Sequence, residues 1–129
     1  MTTVIVSGSR DKKYDIDDLY RLQIFAELDK IHLVTPITYL AEGGQTGIDQ
    51  VARTWRHLRK VEGGTFYADW TSYGPSAGPI RNKKMLDTIK PDLVVLFPGG
   101  LGTNSMRRLA ETNQFKTLEI TLIDSKKPA

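Results

Sequence analysis

Leu93-Val94-Val95-Leu96-Phe97-Pro98-Gly99-Gly100-Leu101-Gly102-Thr103 is the stretch that decides the fold. An apolar strand-like run meets a glycine turn that opens a helix, and that order is the sequence form of an anion cradle. Glycine removes the Cβ, so backbone can approach a phosphate, and the helix N-terminus offers unpaired N–H groups and a positive dipole end. The pattern occurs twice more. Ser7-Gly8-Ser9-Arg10 follows Val4-Ile5-Val6, and Gly43-Gly44-Gln45-Thr46-Gly47 follows Ile37-Thr38-Tyr39-Leu40-Ala41. Parallel strands set three such turns along one edge of a sheet, which predicts a phosphorylated, nucleotide-like ligand.

Outward from these turns the chain alternates strand and helix. Strands are predicted near residues 3–7, 37–42, 65–70, 93–97 and 118–123. After the first, Asp15 or Asp17 is expected to cap a helix that buries Leu19, Leu22, Phe25, Leu28 and Ile31. The next helix presents Ile48, Val51, Ala52, Trp55 and Leu58 to the core. A loop over 72–78 precedes a helix with Pro79 in its first turn, running to about Ile89, and Thr103 is expected to cap the last helix. The fold class is therefore α/β: one Rossmann-like, doubly wound, parallel five-stranded sheet of order 3-2-1-4-5. The domain covers 1–124, with 125–129 as a frayed tail. Strands 1 and 4 flank the switch point, so their C-terminal loops part to form a crevice.

Composition agrees. A chain of 129 residues with 40% hydrophobic content supports one core. A net charge of +3 suits an anionic ligand without arguing for a nucleic-acid surface. The absence of cysteine excludes disulfides and thiolate metal sites. His32 and His57 have no other ligand types at useful spacing, so no metal is expected, and no cofactor. Neither a signal peptide nor a membrane span is evident, so a cytoplasmic protein without membrane partners is expected.

The expected ligand-binding set is Gly8, Ser9, Arg10, Gly43, Gly44, Thr46, Gly47, Asp49, Arg81, Asn82, Gly99, Gly100, Gly102 and Thr103. Arg81 opens a helix, where a cation opposes the dipole and a bound anion would explain it. Arg10 contacts phosphate or pairs with a local acid. Asp49 compensates its helix dipole or binds a ribose hydroxyl. Glu42 and Asp69 stand at strand ends, where chemistry is commonly placed, and are the catalytic candidates. Trp70 and Tyr73 border the crevice and are candidates to stack a base. The second glycine turn lacks the lysine of a Walker A loop, which argues against a magnesium-dependent NTPase.

Taken in order, Gly8-Ser9-Arg10-Asp11, Glu42-Gly43-Gly44-Gln45-Thr46-Gly47-Ile48-Asp49, Ala68-Asp69-Trp70, Ala77-Gly78-Pro79-Ile80-Arg81-Asn82 and Phe97 to Thr103 resemble the YspA/YpsA-related branch of the SLOG superfamily. The resemblance implies a small Rossmann-like protein of a kind frequent in phages and mobile elements. Relatives include the LONELY GUY phosphoribohydrolases, the DNA-processing protein DprA and sensors of ADP-ribose-type nucleotides. The phosphoribohydrolase pattern Pro-Gly-Gly-x-Gly-Thr-x-x-Glu ends in a glutamate that works with an upstream arginine. Arg81 and Met85 match the upstream part, but the glutamate position is Met106. A thioether cannot move a proton or stabilise an oxocarbenium ion, so the expectation leans towards binding, as sensor or sequestering protein, rather than hydrolysis.

Two other classes stay open. One is a nucleoside 5'-monophosphate N-glycosidase using Glu42 or Asp69. The other is a DprA-like binder of single-stranded DNA, for which Arg53, Arg56, His57, Arg59 and Lys60 would supply charge. The resemblance also implies a homodimer or higher homo-oligomer, formed through the first helix or the helix after Pro79.

Overall fold

The computed structural model describes residues 1–124; the tail over 125–129 lies outside the described residues. β1 (Thr2–Ser7) leads through a one-turn helix α1 (Lys13–Ile16) into α2 (Asp18–Val34). β2 (Ile37–Glu42), α3 (Ile48–Leu58) and β3 (Glu62–Thr65) follow, then a short α4 (Trp70–Tyr73) and a 3-10 turn at Gly74–Ser76. α5 (Ala77–Ile89), β4 (Leu93–Leu96), α6 (Leu101–Thr112) and β5 (Thr117–Glu119) complete the fold. All strand pairs are parallel and the order is β3-β2-β1-β4-β5, as the sequence predicts.

Alternation along the central strands builds two cores. Val4 and Val6 of β1 and Val95 of β4 pack with Ile24 and Leu28 of α2 and with Val51 and Trp55 of α3. Ile5, Val94 and Leu96 face the other side, against Met85 and Leu86 of α5 and Met106 and Ala110 of α6. Helices thus cover both faces, and the three glycine turns lie at the C-terminal ends of β1, β2 and β4.

Several local expectations need correction. In α2 the fully covered residues are Tyr20, Ile24 and Leu28, while Leu19 and Leu22 are exposed. A spacing of three falls short of the 3.6-residue turn, so the predicted stripe winds off the core, whereas a spacing of four stays nearer to it. Leu58, at the end of α3, is exposed for the same kind of reason: it lies three residues past Trp55, where the helix stops. Asp17 caps α2 by accepting from the Leu19 N–H.

β3 is Glu62-Gly63-Gly64-Thr65 and not the aromatic run over 65–70. Two glycines made this strand hard to see, yet a Cβ on Gly63 would fall 2.0 Å from the Leu40 carbonyl oxygen and 2.2 Å from Cδ of Arg56. The position requires glycine because the Leu40 backbone carbonyl lies against it, with the Arg56 side chain beside it. α4 and the 3-10 turn replace most of the predicted loop. α6 begins at Leu101 with Gly100 as its N-cap, so Thr103 sits inside the first turn and is not the cap. β5 stops at Glu119 because the chain then crosses to α2, where Gln23 bonds both the N–H and the carbonyl of Ile123.

Candidate functional site

The second glycine turn is closed by the protein's own groups. The Gly47 N–H donates to Asp15 Oδ2 at 2.5 Å and the Ile48 N–H donates to the Ser9 carbonyl at 2.9 Å. Thr46 Oγ1 donates to the Arg10 carbonyl at 2.6 Å. The N-terminus of α3 is therefore answered by a carboxylate and a carbonyl from the first turn and α1. Gly47 has φ +78°, and a Cβ there would meet the Ser9 carbonyl oxygen at 2.3 Å.

Beneath this turn lies a charged knot. Glu42 is fully buried; Oε1 accepts from the Gly44 N–H at 2.7 Å and Oε2 from Thr65 Oγ1 at 2.6 Å. Asp49 is also buried and accepts from the Gln45 N–H at 3.3 Å. Burial first, and the Glu42 charge second, push the Asp49 carboxyl up to about 7. Arg81 supplies the counter-charge. Its Nη1 donates to the carbonyls of Gly43 at 2.6 Å and Phe66 at 3.2 Å. Burial lowers the guanidinium pKa, and the Asp49 and Glu42 carboxylates oppose that. The cation at the start of α5 thus faces two buried carboxyl groups inside the protein. Asn82 is 97% buried, since only 3% of it is exposed. It accepts from Arg81 Nε at 2.8 Å and donates to the Gly102 carbonyl at 3.1 Å, tying the second turn to the third.

The third turn is built differently. The first turn of α6 holds no acidic residue, and its N-cap makes no side-chain bond. The N–H groups of Leu101, Gly102 and Thr103 have no acceptor among the described residues. The Thr103 side chain is buried, and its Oγ1 has no hydrogen-bond partner among the described residues. A Cβ on Gly99 would strike Thr103 Oγ1 at 2.0 Å, whereas a Cβ built on Gly100 or Gly102 would meet nothing within 4 Å among the described residues beyond its chain neighbours and the local helix backbone. The Ser9 N–H donates to the Pro98 carbonyl at 2.7 Å, so the first turn lies against the third, as the switch point demands. Ser9 Oγ accepts from the Asp11 N–H, and Gly8 is held close to Ile48. Arg10 is exposed and its side chain makes no hydrogen bond or ion pair among the described residues.

Other predicted site residues cap helices, pack on neighbours or belong to the core. Asp69 is the exposed N-cap of α4, with its pKa lowered by bonds from Ser72. Trp70 packs on Gly78, and Tyr73 is exposed at the end of α4. Met106 is wholly buried in the α5–α6 core. Of the basic cluster on α3, Arg59 pairs with Asp29 at 2.9 Å, Arg53 Nε is 3.9 Å from Glu42, and Arg56 crosses Gly63. The described residues hold no group of three or more metal-ligating side chains and no helix long and apolar enough to cross a membrane.

Asp15, Thr65 and Tyr67 escaped the sequence reading. Asp15 acts across 32 positions and reads locally as a cap for the helix it precedes. The aromatic run over 65–70 reads as a strand that takes in Thr65 and Tyr67, whereas β3 ends at Thr65.

A family model for the YspA, cpYpsA-related SLOG family matches residues 2–73, a span that carries the first two glycine turns and ends before the third. No curated protein matches the chain.

Proposed function

The chain belongs to the YspA, cpYpsA-related SLOG family, and from that premise we propose that it binds a nucleotide or nucleotide-derived, ADP-ribose-like ligand through a phosphate at the third glycine turn. The observation that carries this reading is the buried Thr103 hydroxyl without a partner, beside three helix N-terminal N–H groups without acceptors. A buried polar group left unbonded costs about 1–3 kcal/mol, and a phosphate oxygen would satisfy it together with the N–H groups. Arg10, exposed on the first turn that adjoins the third, is the cation this reading assigns to the ligand. Gly100 and Gly102 leave the backbone accessible.

The ligand role is that of a sensor or sequestering protein. Both Glu42 oxygens already accept hydrogen bonds, Asp69 caps a helix and Met106 is core, which argues against the glycosidase reading. Arg81 and Asn82 act in this proposal by bracing the turns against each other.

Calorimetry with AMP, ADP-ribose and ribose 5-phosphate tests the reading, with product analysis for released base. Thr103→Val is expected to weaken binding about ten- to a hundredfold, while the free protein keeps or gains stability because the orphaned hydroxyl is gone. No binding by any of the three, or unchanged affinity in Thr103→Val, would contradict it.

A further inference from the structure

Tyr67 follows β3 on the same C-terminal edge and has 71% of its surface exposed. One edge of its ring is seated on the second turn: a Cβ on Gly44 would lie 2.6 Å from both Cδ1 and Cε1. The ring thus fills the space that a side chain at position 44 would take. Gly44 is held at φ +74°, which glycine adopts without strain. The backbone leading to Tyr67 is fixed from two sides. The Phe66 N–H donates to the Glu42 carbonyl at 2.8 Å, and the Phe66 carbonyl accepts from Arg81 Nη1 at 3.2 Å. The phenol makes no hydrogen bond among the described residues. An exposed aromatic ring on a braced backbone, with no internal role for its hydroxyl, is a preorganised contact surface.

We propose that Tyr67 is the base platform of the site, stacking the aromatic base of a nucleotide whose phosphate lies at the third turn. This rests on the phosphate reading above. Gly44 follows β2, two strands from β4 across β1, so ring and phosphate cradle stand about 10 Å apart at the usual strand spacing. A single nucleoside phosphate laid along the sheet edge spans that separation. A stacking ring of this kind selects for an aromatic base without choosing between bases, because every base offers a π-face.

The test compares AMP with ribose 5-phosphate by calorimetry on wild type, Tyr67→Phe and Tyr67→Ala, with thermal melts confirming that each variant is folded. Wild type is expected to bind AMP at least about tenfold tighter than ribose 5-phosphate. Tyr67→Phe keeps that ratio; Tyr67→Ala brings AMP down to the ribose 5-phosphate level and leaves ribose 5-phosphate unchanged. A ratio near one in wild type, or a ratio that survives Tyr67→Ala, overturns the base platform while leaving the phosphate reading intact. Failure of wild type to bind either compound overturns both.

Discussion

The second and third glycine turns read alike in sequence and differ in what fills them. At the second, Asp15, the Ser9 carbonyl and the buried Asp49 face the start of α3, and Gly47 makes room for backbone at 2.3 Å. At the third, no acid stands in the first turn of α6, and Gly100 and Gly102 have no neighbours where a Cβ would point. A helix N-terminus attracts negative charge wherever it occurs. One turn has recruited that charge from within the chain, and the other has none among the described residues, which our proposal fills with a ligand. Glycine therefore serves internal packing in one place and access in the other.

Titration gives the largest expected contrast. Asp49, pushed up to about 7, keeps its proton in the folded chain where the unfolded chain has lost it. Below about pH 4 both states are protonated; from there to neutrality the folded state holds the extra proton, so stability falls as pH rises and the loss is complete above about 7. Urea melts between pH 4 and 8 should show wild type losing on the order of 3 kcal/mol relative to Asp49→Asn. Parallel curves for the two proteins would remove the buried carboxyl from the account.

Gly47→Ala comes next, with an expected loss of about 2 kcal/mol or more from positive φ and the clash with Ser9. A melt unchanged from wild type would mean that the turn has another conformation. Asp15→Ala should cost about 1–2 kcal/mol by uncapping α3, with ribose 5-phosphate affinity unchanged. If that affinity fell instead, the second turn would belong to the ligand site. The smallest effect on stability is expected for Gly100→Val, about 1 kcal/mol or less from the poorer N-cap, since its Cβ meets no described atom beyond its chain neighbours within 4 Å. Its calorimetric titration should nevertheless show binding lost, because the added methyls stand where the phosphate approaches.

Strand order, the switch point and the position of all three turns were legible because apolar runs and glycines are local signals. α2 was misread because three-residue spacing resembles an amphipathic stripe while drifting round the helix, so Tyr20 and Ile24 took the core in place of Leu19 and Leu22. β3 was hidden because Gly63 and Gly64 have low strand propensity, while the close Leu40 carbonyl at Gly63 and the Tyr39 hydroxyl at Gly64 leave no room for a Cβ. That misplacement concealed Tyr67 within a strand. The sequence reading gives Arg81 a bound anion as its partner; the carboxyl groups beside it, Glu42 and Asp49, come from β2 and α3, and only tertiary packing brings them to the start of α5. Nothing in the sequence alone separates a glycine turn closed by a distant aspartate from one left open.

Amide NMR during titration with AMP tests the central claim most directly, because it reads both turns in one experiment. The N–H signals of Leu101, Gly102 and Thr103 are predicted to shift as the phosphate takes their hydrogen bonds, while those of Gly47 and Ile48, already bonded to Asp15 and Ser9, stay in place. Shifts centred on Gly47 and Ile48 with the α6 amides unmoved would contradict it.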